Sequence, residues 1–68
     1  MTYTKFISLQ LKRGDVIEVR CGKELRIFTC KDIPHVVLWL GSANTMVDAV
    51  DTDGKANGIY FRDVVSKL

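Results

Sequence analysis

Six short runs of β-forming residues set the limits of what this chain can become: Tyr3 to Lys12, Val16 to Cys21, Leu25 to Cys30, Val36 to Leu40, Met46 to Val50 and Ile59 to Phe61. Gly, Asp, Asn or Pro separates nearly every pair of runs. Branched and aromatic side chains fit a pleated, half-buried surface, and the punctuating residues supply turns. The expected fold is all-β, a small antiparallel barrel of about five or six short strands with a helical turn at its C-terminal end. Residues 1–68 form one domain, near the lower size at which a single core offsets conformational entropy. Hydrophobic residues make up 47% of the chain and charged ones 26%, a balance that argues for a folded state over a disordered one.

Along the first run Ile7, Leu9 and Leu11 alternate with Ser8, Gln10 and Lys12, which predicts a strand with its odd positions in the core. Arg13-Gly14-Asp15 makes a turn, and the next run puts Ile17, Val19 and Cys21 on one face. The loop that follows is argued from facing, because directly opposed residues of an antiparallel pair share a face. A two-residue loop would oppose Val19 with Arg26 and Arg20 with Leu25, mixing core with solvent. A three-residue loop, Gly22-Lys23-Glu24, opposes Cys21 with Leu25, Val19 with Ile27 and Ile17 with Thr29, so the three-residue loop is expected. Its outer face pairs Arg20 with Arg26 and Glu18 with Phe28.

Asp32-Ile33-Pro34 ends the third run, since proline has no backbone donor for a central ladder. Val36 to Leu40 is apolar on both sides, which fits a central strand or one covered by a partner. Gly41-Ser42-Ala43-Asn44 reads as a turn, with Val47 and Ala49 pointing inward beyond it. After the polar loop Asp51 to Gly58 comes the short run Ile59 to Phe61. Arg62 to Leu68 is expected to form the helical turn, tucking Val64, Val65 and Leu68 against the barrel, or in an α+β alternative to join a longer helix.

Two stretches, Leu11-Lys12-Arg13-Gly14-Asp15-Val16-Ile17-Glu18-Val19 and Gly58-Ile59-Tyr60-Phe61-Arg62-Asp63-Val64-Val65, resemble the Gly-Asp-led second strand and the closing segment of small SH3-like barrels. That group includes the KOW-type and Sm-like modules. The resemblance implies an SH3-like barrel and no particular function, because this superfold carries nucleic-acid readers, peptide readers and assembly proteins alike.

Residue chemistry narrows the function classes. Cys21, Cys30 and His35 follow a Cys-x8-Cys-x4-His spacing that matches no common zinc pattern, and a structural zinc takes four ligands. The three-residue loop also sends the two cysteines to opposite faces, with Cys21 in the core. Ser42 lies in Leu40-Gly41-Ser42-Ala43-Asn44, which lacks the second glycine of a nucleophile elbow. Counted from Asp51, the glycine of the Asp-rich loop comes too early for a calcium loop, and Arg62 stands where a bidentate Glu is needed. No catalytic residue, metal or cofactor is expected.

Charge and apolar surplus point to partners. Residues 1–31 carry seven basic and three acidic groups, a net of +4, whereas residues 32–68 carry three and five, a net of −2. With Arg20 and Arg26 opposed and Phe28 beside them, Lys12, Arg13, Arg20, Lys23, Arg26 and Lys31 make a candidate nucleic-acid surface, unless Glu18 and Glu24 screen them into an ordinary solvated face. On the apolar side Val16, Phe28, Met46 and Tyr60, with one side of the 36–40 run, fall on outward positions and form the candidate protein interface. The sequence is thus read as a non-enzymatic binding module or regulator that contacts another protein by occlusion or bridging, in the manner of small assembly factors and phage-encoded accessory proteins. A homodimer is compatible with this reading, and nucleic-acid binding is the alternative. With no leader pattern at Met1, no apolar run approaching the roughly 20 residues of a bilayer span and only two cysteines, the expected setting is cytoplasmic, with no membrane partner.

Overall fold

A computed structural model describes residues 1–68. It contains helix α1 (Tyr3–Ser8), strands β1 (Val16–Cys21), β2 (Glu24–Cys30), β3 (His35–Trp39), β4 (Ser42–Val50) and β5 (Ala56–Tyr60), a 3-10 turn (Phe61–Asp63) and strand β6 (Val64–Lys67). All pairing is antiparallel, and the strands run β6–β1–β2–β4–β5 across a curled sheet, a half-barrel. Val50 and Ala49 pair with both β2 and β5, and Met46 pairs with both β3 and β5. β2 and β3 must therefore lie end to end along one edge of β4, interrupted at Lys31-Asp32-Ile33-Pro34, with β5 on the other edge. The concave side gathers Ile17, Val19, Phe28, Cys30, Val47, Ala49, Ile59 and Val64 into one core. No helix is long and apolar enough to cross a membrane.

The first run is a helix, not the expected strand. Thr2 caps it, its hydroxyl accepting from the Lys5 N–H at 3.3 Å. Tyr3, Phe6 and Leu9 also recur at a helical spacing of three. Phe6 is buried and Leu9 half-buried, while Ile7, which alternation sent to the core, is exposed. Phe61 receives the helix, with ring centroids 5.5 Å from Tyr3 and 5.9 Å from Phe6. The helix therefore plugs one mouth of the half-barrel, where a strand would have extended its edge.

The β1–β2 loop has two residues, Gly22-Lys23, and the register opposes Cys21 with Glu24, Val19 with Arg26 and Ile17 with Phe28. Gly22 at φ +64 occupies the first central position of a type II′ turn, whose twist matches the flanking strands. The two-residue loop is tolerated, against the expected three, because opposed residues share a face without sharing burial. Near the hairpin tip Arg26 lies beyond the core, exposed, with its guanidinium 3.1 Å from Glu24. One residue of register turns Phe28 from the outer face into the core, where it is 3% exposed. The same step separates Arg20 from Arg26 and puts both cysteines on the concave face, Cys30 buried and Cys21 half-buried.

The helical turn is present but starts earlier than expected, at Phe61, and hands over to β6, which pairs with β1. Val64 is buried as expected; Val65 and Leu68 are exposed. With Phe28 in the core, Phe28→Ala is expected to lower the unfolding free energy by about 3–5 kcal/mol, read as a drop in the urea midpoint. A change below about 1 kcal/mol would mean that the ring is not a core element.

Candidate functional site

Met46 marks the point where β4 loses support, because its pairing with Tyr60 is the last contact with β5. Beyond it, Ser42 to Thr45 pair only with Val36 to Trp39, so a two-stranded arm projects from the half-barrel. Thr45, Val47 and Ala49 face the core, and the same face continues outward as Ala43, Val36 and Leu38. The apolar stripe thus runs off the end of the core into solvent: Val36 is 62% exposed and Leu38 77%. On the opposite face His35, Val37 and Trp39 lie over Met46, Asn44 and Ser42, and Trp39 is 65% exposed. Of the two expectations for 36–40, a central strand or one covered by a partner, the central position is ruled out: β3 is an edge strand whose outer side has no neighbour in the sheet.

The turn at the arm's tip is Leu40-Gly41, one residue earlier than the expected Gly41 to Asn44, and Ser42 already belongs to β4. Both turn residues have positive φ, +48 for Leu40 and +79 for Gly41, the type I′ arrangement that favours Asn-Gly. A leucine in this region carries on the order of 1 kcal/mol of steric strain, and Leu40 is 89% exposed. Local propensity and burial both argue against leucine here, and such violations concentrate at working surfaces.

Of the residues read from the sequence as a protein interface, Met46 and Tyr60 come together. They are opposed on the outer face, both half-buried, in a row with His35 at the root of the arm. The Met46 methyl lies over Gly58, 2.9 Å from where a Cβ would stand, and the Arg62 guanidinium sits 5.3 Å from the Tyr60 ring centroid. Val16 is half-buried on the same outer face, opposite Thr29, away from the arm. Phe28 is withdrawn from the surface altogether. Ile33, Val36, Leu38, Trp39 and Leu40 supply the exposed apolar surface instead. The signal for them was the continuously apolar run Val36 to Leu40, too many hydrophobes for one buried face.

All six basic residues proposed for nucleic acid are exposed, but they do not form one track. Lys12, Arg13 and Lys31 stand at the base of the β1–β2 hairpin, where Gly14 N–H donates to the Cys30 carbonyl at 2.9 Å. Arg20, Lys23 and Arg26 stand at its tip, roughly 17 Å along the strand. Arg20 lines two open concavities, one of about 410 Å³ with Arg26 and Lys55 and one of about 340 Å³ with Lys5 and Arg62, Asp63 standing in both. Only Arg26 and Lys67 lie within 4.0 Å of a carboxylate.

Asp15 ties the ends of the fold together. Its carboxylate accepts from the Lys12 N–H at 3.0 Å and lies 3.5 Å from the Lys67 ammonium. That backbone hydrogen bond, followed by the Lys67 charge, outweighs partial desolvation and holds its pKa below the ordinary 3.8. Burial pushes the Cys30 thiol up, leaving it protonated and inert at neutral pH. No three His, Cys, Asp or Glu side chains converge in the geometry of a metal centre. The chain finds no match among protein-family models, among curated proteins or among solved structures.

Leu40→Asn is expected to raise stability by about 0.5–1 kcal/mol, measured by urea unfolding. An unchanged or lowered midpoint would remove the strain argument. For Asp15, a depressed folded pKa means that its contribution is complete above the unfolded pKa and disappears as pH falls through the folded one. The stability gap between wild type and Asp15→Asn should hold steady from pH 7 to about 4 and close below that. A gap independent of pH down to 2 would show that the charge is irrelevant.

Proposed function

We propose that this chain is a non-enzymatic binding module of SH3-like type that works by protein contact, and that the β3–β4 arm is its working surface. One observation carries the reading: the apolar face of the core continues onto an unsupported arm, where Val36, Leu38, Trp39 and Leu40 stand in water. Exposed apolar side chains gathered on one projecting hairpin are costly for a monomer and are retained at interaction sites. The strand path, with β6 returning to β1 after a 3-10 turn, is compatible with an SH3-like barrel and supports that part of the reading. An inert, buried Cys30 and a chain too small to enclose a deep cleft fit a role of occlusion or bridging in place of catalysis.

A second reading, nucleic-acid binding, draws support from the cluster of Lys5, Arg20 and Arg62, none of which has a carboxylate within 4.0 Å. Affinity capture from lysate, with and without nuclease, separates the two. On the protein-contact reading, captured proteins survive nuclease and are lost with Trp39→Ala or Leu38→Asp, while circular dichroism and thermal melting stay as in the wild type. Leu40→Asn loses them too, despite its higher stability. Capture that disappears with nuclease, ignores the arm substitutions and weakens steeply with salt would establish the second reading.

A further inference from the structure

The free edge of β3 has the chemistry of a strand waiting to be paired. Sheet edges are normally blunted by charge, proline, bulges or shortness. β3 itself, His35 to Trp39, holds no charged side chain and no proline, Pro34 standing just before it, and its register with β4 runs without a shift. By contrast β6 has four residues, one of them Lys67, and its pairing with β1 is bulged. Resting on the reading that the arm is a protein-contact surface, we propose that its occupant is a second copy of this chain, joined β3 to β3 antiparallel about a two-fold axis at Val37.

Hydrogen-bond parity fixes this register. The two-residue turn makes Trp39 and Ser42 a hydrogen-bonded pair, and alternation makes Val37 with Asn44 and His35 with Met46 the next ones. The backbone N–H and C=O groups of Val36 and Leu38 then point away from β4, toward the free edge. Two copies use both sets only when Val36 of each opposes Leu38 of the other. Shifting by two residues in one direction opposes Pro34, which has no N–H; shifting in the other opposes Leu40, which has left the extended conformation.

The side chains agree with the register chosen by the backbone. Val36 meets Leu38 of the second copy, Trp39 meets its His35, and Leu40 reaches its Pro34 and exposed Ile33. No charge opposes another, and the apolar stripes of the two arms join on one side of a continuous sheet. The exposed parts of Ile33, Val36, Leu38, Trp39 and Leu40 amount to roughly 400 Å² of apolar surface. Edge pairing covers the flanks of these side chains, a part of the about 800 Å² that a standard interface takes from each partner, and adds the backbone hydrogen bonds of the two Val36–Leu38 pairs. Pairing also turns a two-stranded arm, marginal on its own, into four strands.

Sedimentation equilibrium at tens of micromolar tests this with charge pairs placed by the register. Wild type is expected at twice the 7.7 kDa chain mass. Val36→Lys with Leu38→Lys opposes two lysine pairs and should raise the dimer dissociation constant tenfold or more, to the monomer. Val36→Glu with Leu38→Lys opposes Glu to Lys twice and should restore the dimer. Both positions are exposed, so the fold is retained, which circular dichroism verifies. Val37→Cys on a Cys21→Ser background should cross-link under mild oxidation, since unbonded opposed residues have Cα atoms about 4.5 Å apart; Leu38→Cys should not. A monomeric wild type, a dimer indifferent to the lysine pair, or failure of Val37→Cys to cross-link overturns the proposal. If the wild type is monomeric while Trp39→Ala still abolishes capture of another protein, the arm remains a contact surface and only the second copy is excluded.

Discussion

β4 is longer than the sheet that supports it. Its nine residues are paired on both edges only at Met46, Ala49 and Val50, and everything else about the molecule's surface follows from this mismatch. The half held by β5 lays Val47 and Ala49 into the core, fully buried. Beyond the buried Thr45 the arm has no concave neighbour to cover it, and its apolar side chains are carried by β3, where Val36 and Leu38 continue the core face. A small barrel of this kind has little burial to spare, so an apolar extension that adds nothing to the core draws its stabilisation from outside the fold or does without it.

Much of the architecture was legible because period two and turn residues are local signals. The runs at 16–21, 25–30, 36–40 and 46–50 all lie in or against strands, and Ile17, Val19, Val47 and Ala49 face the core as alternation dictates. The N-terminal segment was ambiguous for a physical reason: Ile7, Leu9 and Leu11 fit a strand, Tyr3, Phe6 and Leu9 a helix, and the choice is made by Phe61, more than fifty residues away. No local pattern contains that contact. Register at Gly22-Lys23 turned on whether an arginine opposite Val19 is tolerated, which depends on where the core ends along the hairpin.

The same limit governed the site. Phe28 and Leu38 are comparable hydrophobes in short β-forming runs, and one is buried while the other is 77% exposed. What separates them is the number of strands beside them, a property of the whole sheet. The sequence did carry one clue independent of topology. Leu40-Gly41 fills a turn that favours Asn-Gly, and the departure costs stability at a place where a more favourable residue was available.

Gly58 makes room at the arm's root. Unlike Gly14, Gly22, Gly41 and Gly54, it has no positive φ, so its backbone would accept other residues; it is the space above it that is spoken for, by the Met46 methyl. Met46 in turn is the residue where β3, β4 and β5 meet. A larger side chain at position 58 meets only the flexible end of Met46, which can swing aside, so it would rearrange the outer surface at the arm's root while leaving the path of the backbone as it is.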